Sequence, residues 1–333
     1  MAERIIWPAS PLMGARQINH TMFHYILRRS WQMVPTLLGV IVLIFFLFRF
    51  FGGDPAEIMA GLKASPESVA SIRMQLGLDR PVPEQLWAFI QQVFRFNWGR
   101  SWATNEAISE IFATRLPATL TIMVPILLLQ MALAIFAGLA LAGVRGSLTD
   151  RAAMLVSTAA MSVSFLVYVV VGQYLFGFVL GWFPVQGWSG NLWTNLRTYA
   201  PLPVLLAVLV SLAPQTRLYR SFFLDEIGKD YVRTARAKGA TEGAVFFKHI
   251  LRNAMIPILT SVAIDLPGVF AGSFLIEIFF SIPGLGREIL SAVNRSDYPV
   301  IQAATVYLAA LTMVINLIAD ILYKLVDPRV SLK

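Results

Sequence analysis

The amino-acid sequence predicts an all-α, polytopic membrane protein with six transmembrane helices. Hydrophobic residues make up 57% of its 333 residues and charged residues only 14%, and the mean hydropathy is +0.66. A water-facing surface needs more charge than this. Six separate apolar runs are about 18 residues long or longer, which is within the range that crosses a hydrocarbon core.

The six predicted spans follow one another with connections of very different length. They are residues 31–51, 116–142, 152–180, 201–218, 256–281 and 300–323. The third run is long enough to tilt across the bilayer or to end in the interface. The predicted transmembrane domain therefore covers residues 31–323, with an N-terminal extension of residues 1–30 and a tail of residues 324–333.

The distribution of Lys and Arg predicts how the spans are oriented. The connections on one side, together with the two ends of the chain, carry 17 basic residues, whereas the two short connections on the other side carry 3. Basic residues gather on the cytoplasmic side of short loops. Both termini are therefore expected in the cytoplasm. The same bias accounts for the net charge of +8, so we expect membrane lipids and no nucleic acid as partners.

The first outer connection, residues 52–115, is too long for a simple loop. Its charge is near balance, with seven acidic and six basic residues. Ser65 can cap a short helix, Val69, Ile72 and Leu76 share one face of it, and Gly77 can end it. We expect short amphipathic helices on the outer surface.

Several classes of activity are excluded by what the sequence lacks. It contains no cysteine, which rules out disulfides, thiolate metal sites and thiol chemistry. No Walker A pattern occurs, so the chain should not bind ATP itself. No cluster of residues has the spacing of metal ligands. We therefore expect no catalytic residue, no metal site and no cofactor in this chain.

The longest inner connection, residues 217–255, is basic and helical by pattern. It carries eight Lys and Arg. One stripe consists of Phe223, Ile227, Tyr231 and Thr234, and another of Lys229, Arg233 and Arg236. Gly239 is a plausible helix end, and Thr241 with Glu242 can start a second helix that ends near Arg252, before Pro257. The segment therefore predicts two short helices joined at a glycine.

Like charges crowd one face of the first of these helices. Lys229 and Arg233 are four residues apart. Two like charges at this spacing destabilise an isolated helix by a few tenths of a kcal/mol. An acidic partner is therefore expected to face them. Anionic lipid is one candidate, and an acidic groove on a cytoplasmic protein is the other.

The stretch YVRTARAKGATEGAVFFKHILRNAMIP, residues 231–257, resembles the coupling motif of inner-membrane permeases in binding-protein-dependent ABC importers of the dipeptide, oligopeptide and nickel group. Gly239 matches the glycine of the general E-A-A-x-x-x-G pattern. Arg233, Thr234 and Ala235 occupy the E-A-A places, where only the alanine agrees, but the group commonly has the R-T-A-R-A-K-G found here.

The resemblance covers most of the chain. Residues 25–55, 274–289, 297–300 and 322–330 are also similar to this group, whereas residues 1–22 do not fit it. Pro267 and the closing segment are more similar to the oligopeptide and microcin branch. The resemblance implies a type I ABC importer permease fold in a bacterial inner (plasma) membrane.

The resemblance also implies partners and site residues. A second homologous permease would complete a heterodimer, two cytoplasmic ATPases would supply ATP and Mg²⁺ chemistry, and a periplasmic or extracellular substrate-binding protein would deliver the solute. The two inner helices, within residues 217–255, would act as rigid levers continuous with spans four and five. The implied ATPase-coupling residues are Arg233, Thr234, Ala235, Arg236, Ala237, Lys238 and Gly239, followed by Phe246 and Phe247. These two phenylalanines can face either an ATPase groove or the membrane.

Outside the coupling segment, a few charged residues are candidates for other roles. The loop of residues 282–299, with Arg287 and Asp297, is a candidate receptor contact by resemblance. Asp265 lies nearest the centre of a span, where a charge is costly and marks function. Pro267 frees the carbonyl of Ala263, which suits a cavity-facing kink. Asp265 is therefore a candidate for the translocation path, and a hydrogen bond to a second permease is the equal alternative.

Other ionisable residues lie within or at the edges of the predicted spans, and none requires a transport role. Arg49 and Asp320 lie near span ends, where a local pair or snorkelling suffices. Glu277 lies near the outer surface, in a position that suits a structural role.

Two other classes of function compete with this interpretation. A proton-coupled secondary transporter would use Asp265 or Glu277, but the chain lacks the inverted repeats of such proteins. An intramembrane serine protease would use Ser189 in the sequence GWSG, but His20, His24 and His249 are all predicted on the opposite side of the membrane. The solute stays open among dipeptides, oligopeptides, modified peptides, nickel chelates, glutathione and oligosaccharides.

Overall fold

The computed structural model describes residues 11–61 and 65–326, and side chains from residues 25–61 and 65–321. Every regular element in these residues is a helix. In chain order the helices are α1 (Pro11–Phe51), α2 (Pro55–Ala60), α3 (Pro66–Gln75), α4 (Val82–Phe94), α5 (Ile108–Gly143), α6 (Leu148–Met161), α7 (Phe165–Gly172), α8 (Leu192–Thr194), α9 (Pro201–Ile227), α10 (Asp230–Ala237), α11 (Glu242–Ala244), α12 (Leu251–Ala271), α13 (Phe274–Phe279), α14 (Leu285–Asn294) and α15 (Tyr298–Val326). Three of them continue as π-helix: α7 over Gln173–Val179, α8 over Asn195–Tyr199 and α11 over Val245–Ile250.

The lengths and compositions of these helices agree with a polytopic membrane protein. Five stretches within the described residues are long and apolar enough to cross a bilayer, and a sixth span results if the bent pair α6 and α7 counts as one. The five are Tyr25–Phe51, Ile108–Gly143, Pro201–Ile227, Glu242–Phe279 and Tyr298–Ile321. The predicted all-α class is confirmed.

The first span is longer than its apolar run. Residues 11–30, which we expected to form a separate extension, belong to the single helix α1, and Pro35 does not interrupt it. Tyr25 donates a hydrogen bond of 2.7 Å to Asp320 on α15, and Arg29 lies 3.6 Å from the same carboxylate. Residues 1–10 and most of the predicted tail, 327–333, lie outside the described residues.

The outer connection contains the expected short helices α2, α3 and α4. Ser65 caps α3 by accepting a hydrogen bond from the backbone N–H of Ser68 at 3.3 Å, and Gly77 follows its end with φ +66°. The second span begins earlier than predicted, because α5 starts at Ile108. The outer connection therefore ends before Arg115, which lies in α5.

The third predicted span is broken. Helices α6 and α7 meet at an angle of 89° around residues 162–164, although this break contains neither glycine nor proline. Side chains add hydrogen bonds at the break: Ser162 donates to the Thr158 carbonyl at 3.0 Å, and Tyr168 donates to the Ala160 carbonyl at 2.9 Å. The continuous helix predicted over residues 152–180 is therefore wrong, and these side-chain bonds supplement the backbone bonds at its break.

Helices α5 and α9 form the most extensive pair in the bundle. Gly138 lets them approach closely, since a Cβ atom there would lie 3.0 Å from the backbone nitrogen of Arg220. Small residues serve this purpose between membrane helices. Helix α15 packs against α1, and α12 packs against α15, α5 and α9.

The fifth span is continuous with the second helix of the basic segment. Helices α11 and α12, with the π-helical turn between them, run without a break from Glu242 to Ala271 through Pro257 and Pro267. The predicted end before Pro257 is therefore wrong, as membrane helices tolerate proline where neighbours replace the lost hydrogen bond. The helix instead ends at Gly272, with φ +77°.

Candidate functional site

The basic segment folds into two arms that pack against the ends of three long helices. Val232 and Ala235 of α10 and Val245 and Ile250 of the second arm are buried. They share one apolar cluster with residues of α5, α9 and α12, including Tyr219 and Phe223 from α9. Because the arms and the helix ends share this core, a force applied to the arms is transmitted to the bundle.

Gly239 forms the junction between the two arms. Its φ is +81°, in the left-handed region that favours glycine. Its N–H donates to the Arg236 carbonyl at 2.9 Å, and the N–H of Ala240 donates to the Ala235 carbonyl at 3.2 Å. This pair of bonds is a Schellman motif. The predicted helix end at Gly239 is confirmed.

Three basic residues of the two arms have acidic partners within the chain. The salt bridges join Lys229 Nζ to Glu226 Oε1 at 2.6 Å, Arg233 Nη1 to Asp230 Oδ1 at 3.5 Å, and Arg236 Nε to Glu242 Oε1 at 2.8 Å. Glu226 and Asp230 of this chain thus supply acid next to Lys229 and Arg233, and the lipid and the acidic protein groove stay predictions. A helix interruption brings Lys229 back towards Glu226, so the crowding expected on one continuous helix does not arise.

This interruption separates α9 from α10. Helix α9 ends at Ile227, and Lys229 is extended, with φ −78° and ψ 152°. The Glu226 carboxylate spans the gap: besides Lys229, it accepts a hydrogen bond from the Tyr231 hydroxyl at 2.7 Å. Burial, and then the bond to Glu226, raise the pKa of Tyr231 to about 12, so the hydroxyl stays a donor at neutral pH. The first arm is thus hinged to the fourth span. The prediction that this arm is continuous with the fourth span is wrong.

The surface of the two arms that faces away from the bundle is polar and basic. The Arg233 side chain is 75% exposed, and Thr234, Ala237 and Lys238 are exposed beside it. The two phenylalanines separate. Phe246 packs into the cluster against Gly143, whereas Phe247 is 58% exposed. Of the two, Phe247 is the more available to a partner or to lipid.

Asp265 lies on α12, partly buried beside α9. It accepts a hydrogen bond from Gln215 Nε2 at 3.2 Å. The other amide atom, Gln215 Oε1, and the neighbouring Thr216 hydroxyl are buried without a hydrogen-bond partner in the part of the chain that the structure describes. A buried acceptor without a partner is costly. The position of Asp265 is compatible with both the path and an interface.

At the opposite end of the bundle, Asp297 holds the outer connection in place. It is only 1% exposed and accepts hydrogen bonds from the Ser101 hydroxyl and from the backbone N–H of Trp102, the latter at 3.0 Å. The interpretation of Asp297 as a receptor contact is therefore wrong, because the loop covers its carboxylate. Arg287 remains partly exposed on α14.

Glu277 is held in a cage next to α14. It is 2% exposed, accepts a hydrogen bond from the Thr119 hydroxyl at 2.8 Å and one from the backbone N–H of Arg287 at 2.7 Å. A Cβ atom on Gly284 would lie 2.3 Å from its carboxyl carbon, and one on Gly272 would lie 2.4 Å from Oε1. Glu277 therefore has the structural role we expected, joining α5, α13 and α14.

Residues 130–332 match the family described as binding-protein-dependent transport system inner membrane component. Residues 22–123 match the N-terminal part described for the same transport systems. The chain belongs to this family. Its first 21 residues lie outside the matched ranges. This agrees with the prediction that residues 1–22 do not resemble the family.

Relatives of this permease cover nearly its whole length. A peptide transport system permease protein of Brucella abortus is 36% identical over 307 residues, which are 92% of this chain and 98% of the relative. A glutathione transport system permease protein of Salmonella typhi is 35% identical over 315 residues, 94% of this chain and 100% of the relative. The chain is thus a permease subunit of an ABC importer in a bacterial inner membrane. It is a transport subunit and not an enzyme, and its system includes a substrate-binding protein and an ATPase.

Neither alternative class of function fits this permease. The family couples transport to a binding protein and an ATPase, whereas a secondary transporter needs neither. In the protease alternative, Ser189 would need a base within hydrogen-bond reach. Its hydroxyl instead accepts a hydrogen bond from the backbone N–H of Asn191 at 3.3 Å.

Sequence reasoning missed the acidic residues that organise the two arms of this permease. Glu226 precedes the segment that carries the family resemblance, yet it contacts the first arm directly through Lys229 and Tyr231. Glu242 was noted only as a helix start, although it binds Arg236 through both carboxylate oxygens. The available signal was the excess of basic residues, which calls for nearby acids.

Proposed function

We propose that this permease forms one half of a heterodimeric, ATP-driven importer of peptides or peptide-like solutes. Relatives that cover nearly the whole chain are named for peptide transport and for glutathione transport. A dipeptide or oligopeptide and the tripeptide glutathione share an amide backbone and a carboxylate. A second homologous permease subunit would complete the path between the two halves.

The coupling role of the two arms rests on one observation. The arms share a buried core with the ends of three long helices, while their other face is exposed and basic. In this proposal, the two cytoplasmic ATPases bind ATP and Mg²⁺ and contact residues 233–239 together with Phe247. Phe246 acts from inside the cluster. Closure of the ATPases then displaces the arms, and the second arm moves the fifth span because the two are one helix.

The remaining site assignments follow from placing the two arms on the cytoplasmic side, where the ATPases bind. Both termini lie in the cytoplasm with the basic arms, and residues 52–107 face the substrate-binding protein. Arg287 contacts that receptor from α14. Asp265 and the unpaired Oε1 of Gln215 face either the translocation path or the second permease. Either surface could supply the hydrogen-bond donor that Gln215 Oε1 lacks among the described residues.

The coupling surface can be tested by charge reversal in the assembled complex. Arg233→Glu combined with Lys238→Glu places two acids on the exposed face without touching the salt bridge of Arg236. We expect the amount of copurifying ATPase to fall about tenfold, as a loss of about 1.4 kcal/mol would cause. The measurement is ATPase recovered with the tagged permease over a salt series.

Arg151→Glu is the matched control, since Arg151 is exposed on the first turn of α6, outside the two arms. This control should retain the ATPase. Unchanged recovery with the double variant would show that the basic face is not the ATPase contact and would favour a lipid-facing role.

A further inference from the structure

A large cavity lies at the end of the bundle opposite the coupling arms. Its volume is about 870 Å³, and it is enclosed by the end of α1, by α4 with the segments that flank it, and by the start of α15. This volume is within the range of about 300–1,000 Å³ typical of small-molecule sites. Much of its wall is aromatic, contributed by Phe45, Phe48, Phe89, Trp98, Trp102 and Tyr298.

Charges are segregated around this cavity. Four arginines line it, Arg49, Arg80, Arg95 and Arg100, but Glu84 is its one acidic lining residue among the described part of the chain. The surrounding outer connection, residues 52–107, is close to neutral, with six acidic and five basic residues. Arginines therefore gather at the cavity while nearly all the acidic residues of the connection lie elsewhere.

The guanidinium groups of the cavity are also not engaged in salt bridges among the described residues. Some other arginines on this side are paired, as Arg73 is with Asp54 and Arg115 with Glu288. Within the described residues, none of the four cavity arginines forms a salt bridge, although Arg100 donates a hydrogen bond to the Asn105 carbonyl at 2.7 Å. Guanidinium groups bind phosphate and carboxylate oxygens through paired hydrogen bonds. The cavity thus offers several donors to an anion.

The cavity borders the membrane. Phe45, Phe48 and Arg49 belong to the last turns of the apolar stretch Tyr25–Phe51, and at the same helix end Phe50 is 71% and Phe51 is 86% exposed. Trp and Tyr gather at the headgroup level of a membrane, and Trp98, Trp102 and Tyr298 line the cavity. An occupant with a charged head and apolar chains would satisfy both the arginines and the exposed aromatic surface.

We propose that this cavity binds an anionic phospholipid, with its phosphate at the arginines and its acyl chains along the apolar face of α1. The site would anchor the outer connection to the bilayer next to α15. This inference does not depend on the coupling role of the inner arms, because the two sites share no residue.

The test uses the full-length chain purified in its complex and stripped of lipid. Bound phosphatidylglycerol is quantified by native mass spectrometry, with phosphatidylcholine and inorganic phosphate as separate arms. Arg80→Gln combined with Arg95→Gln should weaken phosphatidylglycerol binding about thirtyfold, since each basic residue contributes about fivefold at an anionic surface. Arg197→Gln, an exposed arginine of a different outer connection, is the matched control and should bind as the unmodified chain does.

The outcomes separate the sources of the anion. Binding of phosphatidylglycerol over phosphatidylcholine, lost only in the double variant, supports the lipid site. Equal binding by the double variant and the unmodified chain overturns it. Displacement of the lipid by millimolar inorganic phosphate overturns it in favour of a free-anion site. Loss of substrate-binding-protein docking with unchanged lipid binding overturns it in favour of a protein contact.

Discussion

Replacement of Gly239 tests whether the junction between the coupling arms transmits movement. Gly239 has φ +81°, and a Cβ atom added there would meet nothing within 4 Å. A side chain therefore adds no clash, and the cost is that of the left-handed backbone, about 1–2 kcal/mol for an ordinary L-residue. This corresponds to a factor of about 5–30 in the equilibrium between the formed and the broken junction.

The size of the effect should follow the residue introduced. Asn tolerates the left-handed region, Ala does so less well, and a β-branched residue is a clear outlier there. We expect substrate imported per ATP hydrolysed to stay near normal in Gly239→Asn, to fall severalfold in Gly239→Ala, and to fall furthest in Gly239→Val. The assay is uptake into proteoliposomes that contain the complete importer, with ATP hydrolysis measured in parallel.

Gly243 provides a matched control in the same segment. It lies in the short helix α11, has no positive φ, and likewise has open space around it. Gly243→Ala should leave uptake per ATP unchanged. If Gly239→Val imports at the normal rate, or if the two alanine variants behave alike, the junction does not work through the backbone conformation of Gly239.

Two further changes test the hinge and the outer cage. Glu226→Gln removes the carboxylate that spans the gap between α9 and α10, so uptake per ATP should fall severalfold while the ATPase still copurifies. Asp225→Asn, at an exposed neighbour, should leave both uptake per ATP and ATPase copurification unchanged. Equal uptake by the two variants would refute the hinge. Gly284→Ala forces a methyl group to within 2.3 Å of the Glu277 carboxyl carbon; such overpacking costs about 1–3 kcal/mol, and the thermal midpoint in detergent should drop by several degrees. Gly190→Ala, in open space, should not change the midpoint, and the same midpoint in both would contradict the cage.

Local sequence signals succeeded where a short stretch carries its own information. Gly239 marks a helix end because glycine alone enters the left-handed region at little cost, and Ser65 marks a helix start because its hydroxyl reaches a free backbone N–H. The coupling segment could likewise be identified from the seven consecutive residues R-T-A-R-A-K-G, because the whole motif lies in one short stretch. These features needed no knowledge of distant parts of the chain.

Signals that depend on distant contacts could not be recovered in this way. Asp297 was interpreted as a surface residue, since nothing near it in sequence shows that residues 101–103, almost 200 positions earlier, cover it. Phe246 and Phe247 are chemically identical neighbours, and only the packing of the second arm against α5 separates them. The third span was predicted to be continuous because residues 162–164 include no glycine or proline. The side-chain bonds at the break become visible only in the folded structure.

The sequence by itself determined the membrane class, the approximate spans, the family and the glycine junction, because hydropathy, charge bias and turn chemistry are local properties. The tertiary structure alone decided which charges are paired, which carboxylates are buried and which helices are continuous. Those outcomes depend on groups far apart in the chain, whose burial and hydrogen bonding exist only once the helices have packed.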